Sequence, residues 1–341
     1  MAQFECKRQR TVTMRIVIHG FGRIGRVILR QILTTPDHAD IEVVAVNDLA
    51  QPDTCAYLFK YDSVFGPLPG GVTYQDGLLQ AAGRAIPLLT GVRMADLPLE
   101  DVDLVLDCTG ALKDRETAEA ALTAGARAVL ISGPSEIADI TIVRGANEDQ
   151  IGDSRVVSNA SCTTNALAPL LRDLDTRYGL IQGHMTTIHC YTGSQPMVDA
   201  PRGPDLARNR AGAVSMVPTT TSAAKLIDRV LPDLAGRVTG AAVRVPAISV
   251  SAVDLVVRLR TPPQDPATAL RALAEANPVI GLVEDPCVSV DLRARTESLV
   301  IAPNETLATG DQIRIFGWYD NEWGFSARML DVARMMHQRG K

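Results

Sequence analysis

The stretch MRIVIHGFGRIG, residues 14–25, decides the fold. Residues 14–19 form an apolar run that reads as a buried strand, GFGRIG follows with no spacer, and 27–33 carry the periodicity of a helix. Gly20 permits a tight turn, Gly22 lets the backbone approach a pyrophosphate, and Gly25 lets the helix pack on the strand. The helix start offers the N–H groups of Gly22, Arg23 and Ile24, with the helix dipole behind them, to a phosphate. Working outward, EVVAVN at 42–47 is a second strand, and it ends in Asp48, 23 residues after Gly25. A glycine-rich turn alone is weak evidence, but strand, turn, helix and acid in this order form the dinucleotide-binding fingerprint. Asp48 can accept hydrogen bonds from ribose hydroxyls. Leu49, Ala50 and Gln51 offer no cation for a 2′-phosphate, so NAD is expected as cofactor in preference to NADP.

Further apolar strands are expected at 104–107, 128–132 and 140–143, with a helix at 115–123 stopped by Gly125. Near-continuous Val, Ile and Leu suit a parallel sheet covered on both faces. From about residue 183 the texture changes to longer β-branched segments at 184–189, 240–258 and 311–318. One helical stretch, 221–231, lies between them. The expected fold is an α/β Rossmann NAD-binding domain over 14–161 plus an α+β catalytic domain with a mostly antiparallel sheet over 162–325. A final helix over 326–341 is expected to pack back on the first domain, and residues 1–13 form an extra N-terminal segment.

Composition bounds the function. The chain has 341 residues, 46% hydrophobic and 21% charged, with net charge −5, which fits a globular protein with ample core. A sequence pI near 5.6 points to neither nucleic acid nor an anionic membrane surface. No apolar run approaches the roughly 20 residues of a membrane span, and residues 1–13 lack the apolar centre of a signal peptide. The cysteines at 6, 55, 108, 162, 190 and 287 show neither metal-ligand spacing nor a dense disulfide framework. A reduced, cytoplasmic setting and no metal site are expected.

The chemistry centres on SNASCTTN, residues 158–165. Cys162 falls where a strand ending at Val157 meets a helix over 163–178. A thiol at a helix start faces unpaired N–H groups that stabilise the thiolate, the nucleophilic form. Ser and Thr neighbours argue against deep burial. His189 ends a strand in MTTIHCYT, and an imidazole near Cys162 could take its proton. Cys190 alternates to the opposite face and reads as packing. Arg208 lies in a polar loop, while Arg244 sits within an apolar strand, where a charge requires an anion or a partner. The hydroxyl-rich run 219–222 precedes a helix and suits a phosphate or an N-cap.

Together, IHGFGRIG, LFKYDSVFG, DITIVRGAN, SNASCTTN, MTTIHCYT, VPTTTSAAK, LPDLAGRVTGAAVRVP and WYDNEWGFS resemble the glyceraldehyde-3-phosphate dehydrogenase family from residue 14 to the end. SNASCTTN and WYDNEWG are its most specific motifs. The resemblance implies phosphorylating oxidation of glyceraldehyde 3-phosphate with NAD through a thioester on Cys162, with His189 as base. It also implies a substrate-phosphate site at Thr192 and Arg244, and an inorganic-phosphate site at Ser161, Thr163, Arg208, Thr221 and Ser222. Asn321 would hold the nicotinamide carboxamide, with Thr109 beside the ring. A loop over about 195–214 reaching a neighbouring subunit implies a homotetramer.

The chain departs from the glycolytic pattern at Ala166, Gly193-Ser194, Arg202-Gly203-Pro204, Ala207, Ser222, Ala247 and Phe325, mostly around the phosphate sites and the loop. The catalytic pair is untouched. The rival readings are erythrose-4-phosphate dehydrogenase, or another phosphorylated-aldehyde dehydrogenase. Thr192 and the threonines 219–221 favour the triose phosphate. A different class, an NAD-binding redox sensor without turnover, would need only the thiol, and retention of His189, Arg208 and Arg244 argues for an enzyme.

Overall fold

A computed structural model describes residues 14–339, so the segment 1–13 and the last two residues of the expected helix 326–341 lie outside the described residues. Two sheets organise the rest. The first has nine strands. Its parallel part runs Arg84–Thr90, Ile41–Asp48, Met14–His19, Leu104–Asp107, Ala128–Ile131, Val156–Ser158 and Ile140–Thr141. Alternate residues of each strand enter different cores. Ile16 and Ile18 pack with the helix Arg23–Thr34, whereas Val17 packs with Val105, Val129 and the helix Arg115–Thr123. Both faces are therefore covered, as the unbroken apolar runs require.

The strand order reverses at Met14–His19, whose neighbours are Ile41–Asp48 on one side and Leu104–Asp107 on the other. A crevice opens at the carboxyl ends of these strands, the place where doubly wound sheets take ligands.

Beyond Arg84–Thr90 the sheet continues as an antiparallel meander, Val72–Gln75 and Leu78–Ala81, that the apolar pattern alone does not suggest. Its turns are Asp76-Gly77 and Ala82-Gly83, all at positive φ, the geometry of two-residue hairpins.

The second sheet has eight strands. Antiparallel pairs dominate: Leu180–Cys190 with Ser251–Leu259, and Ser251–Leu259 with Gln312–Tyr319. Leu180–Cys190 also pairs parallel to Val238–Val245. The single segment expected over 240–258 is thus two strands, broken at Pro246 and at Val250, which takes φ +64°.

The helix Cys162–Tyr178 buries Leu167, Leu170, Leu171 and Leu174 beneath this second sheet. The final helix, Trp323–Arg339, returns to the first sheet, where Met329, Leu330, Ala333 and Met336 join Ile28, Leu29 and Ile32. Half-buried Cys162 packs against both of these cores and so lies at the seam between the sheets.

Candidate active site

The cofactor crevice follows from two glycines. Gly20 takes φ +95°, and a Cβ there would stand 2.6 Å from the Thr109 nitrogen. A Cβ on Gly25 would stand 2.1 Å from the Gly20 carbonyl oxygen, so strand and helix approach as closely as bare backbone allows. A Cβ on Gly22 would meet nothing, and the N-terminus of Arg23–Thr34 faces open space. That space belongs to a cleft of about 550 Å³ lined by Gly22, Asp48, Arg93 and Thr109. Bare helix N–H groups, an acid and a polar rim fit a dinucleotide.

Asp48 is already engaged: Oδ2 accepts from the Phe21 N–H at 2.6 Å and Oδ1 from the Ala50 N–H at 2.8 Å. These bonds aim the carboxylate into the cleft mouth. The Arg23 side chain turns away from the cleft to Glu322 and to Asp62, the latter at 2.6 Å, which leaves its backbone N–H for a phosphate. Thr109 donates to Asp107 at 2.8 Å and accepts from the Ala111 N–H at 3.0 Å. Arg93 was not singled out from sequence. It reaches the cleft through a loop with no motif and pairs with Asp96 at 2.7 Å.

The nucleophile's turn is built by short polar bonds. Ala160 takes φ +54°, a conformation that costs a non-glycine residue about 1 kcal/mol. Asn165 steadies it by donating to the carbonyls of Asn159 at 2.7 Å and Ser161 at 3.0 Å. Ser161 caps the helix, its Oγ accepting from the Thr164 N–H at 3.1 Å. Cys162 is then the first helical residue.

The structure brings Cys162 and His189 together, with Sγ 3.6 Å from Nε2. His189 is buried, edge-on to Tyr319. Its Nδ1 lies 2.8 Å from the Cys190 carbonyl and 2.8 Å from Arg244 Nη1, which itself donates to that carbonyl at 2.9 Å. A guanidinium only donates. With Arg244 in this place Nδ1 accepts from it; with Arg244 drawn elsewhere, Nδ1–H is free to donate to the carbonyl. Among the described residues no salt bridge reaches Arg244, so the expected partner of this charge is an imidazole and a carbonyl, with no carboxylate.

Burial pushes the Cys162 thiol above its ordinary value, opposed by the Thr163 hydroxyl and by the charge of Arg244. This corrects the expectation that the helix start holds a thiolate. The thiol is packed against two cores, and desolvation outweighs the N–H groups. Burial and then Arg244 lower His189 to about 4. The free pair is therefore a thiol facing a neutral imidazole at neutral pH.

Around this pair the phosphate candidates divide. Thr192 Oγ1 lies 3.0 Å from Ser194 Oγ, which accepts from Arg208 Nη2 at 3.4 Å, so Ser194 links two predicted residues. Thr163 is turned inward: its hydroxyl and that of Thr187 meet the buried Tyr319 hydroxyl at 2.9 and 2.8 Å. Thr221 accepts from the Ala223 N–H at 3.1 Å, and exposed Ser222 caps nothing. Asn321 is buried beside Cys190, whose thiol lies 3.2 Å from Asn321 Oδ1. Cys190 is thus more than packing. In the sequence Ser194 stands out only as a departure and Tyr319 only within a motif; their roles do not, because nothing local marks a hydroxyl as part of a distant chain of contacts.

Among the described residues no group of His, Cys, Asp and Glu is arranged to hold a metal ion, and no helix is long and apolar enough to cross a membrane.

Comparison with known proteins gives one family. Residues 14–115 match the family model described as glyceraldehyde 3-phosphate dehydrogenase, NAD binding domain, and residues 161–321 match the corresponding C-terminal domain. A glyceraldehyde-3-phosphate dehydrogenase of Pseudomonas aeruginosa is 45% identical over 327 residues, 94% of this chain and 98% of that protein. Those of Xanthobacter flavus and Geobacillus stearothermophilus are 43% and 42% identical, each over 96% of this chain and 100% of the relative.

Proposed function

The chain belongs to the glyceraldehyde-3-phosphate dehydrogenase family, and from that premise we propose how its residues carry out the phosphorylating oxidation of glyceraldehyde 3-phosphate with NAD. The observation that carries the reading is the buried pair Cys162–His189 at 3.6 Å with Arg244, unmatched by any carboxylate among the described residues, on its far side.

Arg244 and Thr192 take the phosphate of the aldehyde substrate. Drawing Arg244 off Nδ1 lets Nδ1–H donate to the Cys190 carbonyl and leaves the Nε2 lone pair facing Sγ. Sγ bonds to the aldehyde carbon while its proton passes to Nε2 and on to the carbonyl oxygen, giving a hemithioacetal. Gly22, Arg23, Ile24, Asp48, Thr109 and Asn321 would hold NAD, which when bound would supply the hydride acceptor. His189 takes the hydroxyl proton as the carbon is oxidised to a thioester. Inorganic phosphate, held by Ser161, the Thr163 backbone, Arg208, Thr221 and Ser222, attacks the thioester carbon. The C–S bond breaks and an acyl phosphate leaves. Imidazolium beside the carbonyl stabilises the developing oxyanion both as the thiol adds to the aldehyde and as phosphate attacks the thioester.

In this reading residues 14–161, with the final helix from 326, form the NAD-binding domain and 162–325 the catalytic domain. A cytoplasmic homotetramer fits the five free cysteines of the described residues and the exposed apolar side chains Met197, Val198, Leu206 and Val214 on the loop.

The test is NADH formation by purified protein with NAD and either glyceraldehyde 3-phosphate or erythrose 4-phosphate, with and without inorganic phosphate. Strong, phosphate-dependent turnover of the three-carbon substrate is expected. Preference for the four-carbon sugar, or indifference to phosphate, would overturn the substrate assignment.

A further inference from the structure

The turn that follows Gln312–Tyr319 carries Asn321 into the seam between the sheets, where its amide meets two donors. Cys190 Sγ lies 3.2 Å and Ser251 Oγ 3.3 Å from Asn321 Oδ1. Ser251 Oγ also accepts the Cys190 backbone N–H at 3.2 Å, so its own hydrogen is free to point at Oδ1. All three side chains are buried. The backbone beneath is fixed by Asp320, whose carboxylate accepts from the N–H groups of Ala294, Glu322 and Trp323 at 2.8–3.0 Å.

An amide in this setting has two orientations of unequal merit. With the oxygen inward, its two lone pairs take one S–H and one O–H, and every inward polar hydrogen finds an acceptor. With the NH₂ inward, it could still donate to the second lone pair of Ser251 Oγ, but the thiol and hydroxyl hydrogens then lose their shared acceptor, a costlier arrangement in a buried place. Asn321 Nδ2 has no hydrogen-bond partner among the described residues and is not sealed from solvent.

We propose that Cys190 and Ser251 act together as a lock that holds the Asn321 amide with its NH₂ outward, so that the cofactor's ring substituent is read as a carbonyl acceptor. The inference rests on the reading above that Asn321 meets the nicotinamide carboxamide. Cys190 and Ser251 are positioning residues: neither touches the cofactor, and both act through Asn321. The lock also ties recognition of the ring to the strand end bearing His189, because Cys190 supplies the thiol donor and the carbonyl that receives Nδ1–H.

The test measures dissociation constants, by quenching of protein fluorescence, for NAD and for 3-acetylpyridine adenine dinucleotide. That analogue keeps the carbonyl oxygen and replaces the NH₂ with a methyl group. The locked amide should bind the two within about threefold of each other. In the double variant Cys190→Ala/Ser251→Ala the amide is free to turn. NAD, which can satisfy either orientation, should weaken about fivefold, while the analogue should weaken by a further factor of about three or more. Cys190→Ser keeps a donor and should retain the wild-type ratio. Two results would overturn the lock: a wild-type protein that binds the analogue more than about tenfold more weakly than NAD, or a double variant with unchanged affinities. Asn321→Asp separates this from failure of the underlying reading. It removes the NH₂, so undiminished NAD binding by that variant would show that Asn321 is not at the carboxamide at all.

Discussion

Replacing Arg23 by methionine tests how the nucleotide helix is tied to the turn that carries Asn321. The Arg23 guanidinium bridges Asp62 and Glu322, whose side chains are 3% and 14% exposed, and its own is 33% exposed. Burial opposes this charge, yet the two carboxylates raise its pKa. Burial alone would raise Asp62, but the Phe65 N–H and Arg23 outweigh it and hold Asp62 below its ordinary value. Removing one partner of a buried pair costs about 3–5 kcal/mol because the other charge is left uncompensated. The partial exposure of Arg23 puts the expected loss at the low end, about 3 kcal/mol, or about 6 °C in Tm for a chain of this size. Urea unfolding at one fixed protein concentration and without nucleotide measures it, since assembly and ligand both shift apparent stability. The folded pKa of Asp62 lies below the unfolded one, so its share of the stability is present at neutral pH and is lost as pH falls through the folded value. The gap between wild type and Arg23→Met should therefore close below about pH 4. Neutralising all three groups, in Arg23→Met/Asp62→Asn/Glu322→Gln, should restore at least half of the loss. A single variant within about 0.5 kcal/mol of wild type, or a triple variant no better than the single, would refute the reasoning.

His189→Asn should lower kcat by about 10²–10⁴ while leaving the NAD dissociation constant within about twofold; undiminished turnover would remove the base assignment. Folded His189 at about 4 lies below its unfolded value of 6.5, so its contribution is full above 6.5 and is lost as pH falls toward 4. At ~1.4 kcal/mol per pH unit the wild type should lose about 3 kcal/mol over that window relative to His189→Asn, and parallel denaturation curves at pH 7 and 4.5 would contradict it. Asp48→Ala removes a carboxylate that also holds the Phe21 and Ala50 N–H groups; the NAD:NADP ratio of kcat/KM should fall about tenfold and Tm should drop, and an unchanged ratio would place the specificity elsewhere. Ser222→Gly should leave stability within about 0.5 kcal/mol, because Ser222 is exposed and its side chain caps nothing; a large change in the KM for phosphate would show instead that its hydroxyl binds that anion.

What could be read from the chain follows the range of the forces involved. The strand–GFGRIG–helix unit was legible because Gly20 and Gly25 each answer a backbone contact, Gly20 at a neighbouring strand end and Gly25 against Gly20, while Gly22 keeps the helix start bare. The helix 115–123 was legible from its apolar spacing and Gly125. The meander over 72–90 was missed although Asp76-Gly77 signals a hairpin, since its strands mix apolar and polar residues without clean alternation. The break at Val250 was hidden because no sequence rule places a β-branched residue at positive φ. In the site, Cys162 and His189 announced themselves locally, but their meeting at 3.6 Å depends on two sheets and a helix.

The thiol's pKa shows why the local reading went astray. A helix start favours a thiolate by the pull of its N–H groups, an effect of about 0.3–1 kcal/mol where exposed. Desolvation between two cores is a larger force and acts in the other direction, and the sequence around Cys162 does not reveal the cores that impose it. The same seam places Arg244 against Nδ1, where it lowers His189 while its charge favours a thiolate on Cys162. Arg244 thus opposes a proton on one member of the pair and favours its loss from the other. An anion that engages Arg244 neutralises both effects together. The gain at His189 is the larger, because Nη1 touches Nδ1 at 2.8 Å. In the proposed reading, the charge of a substrate phosphate on Arg244 is what would make the imidazole a stronger base.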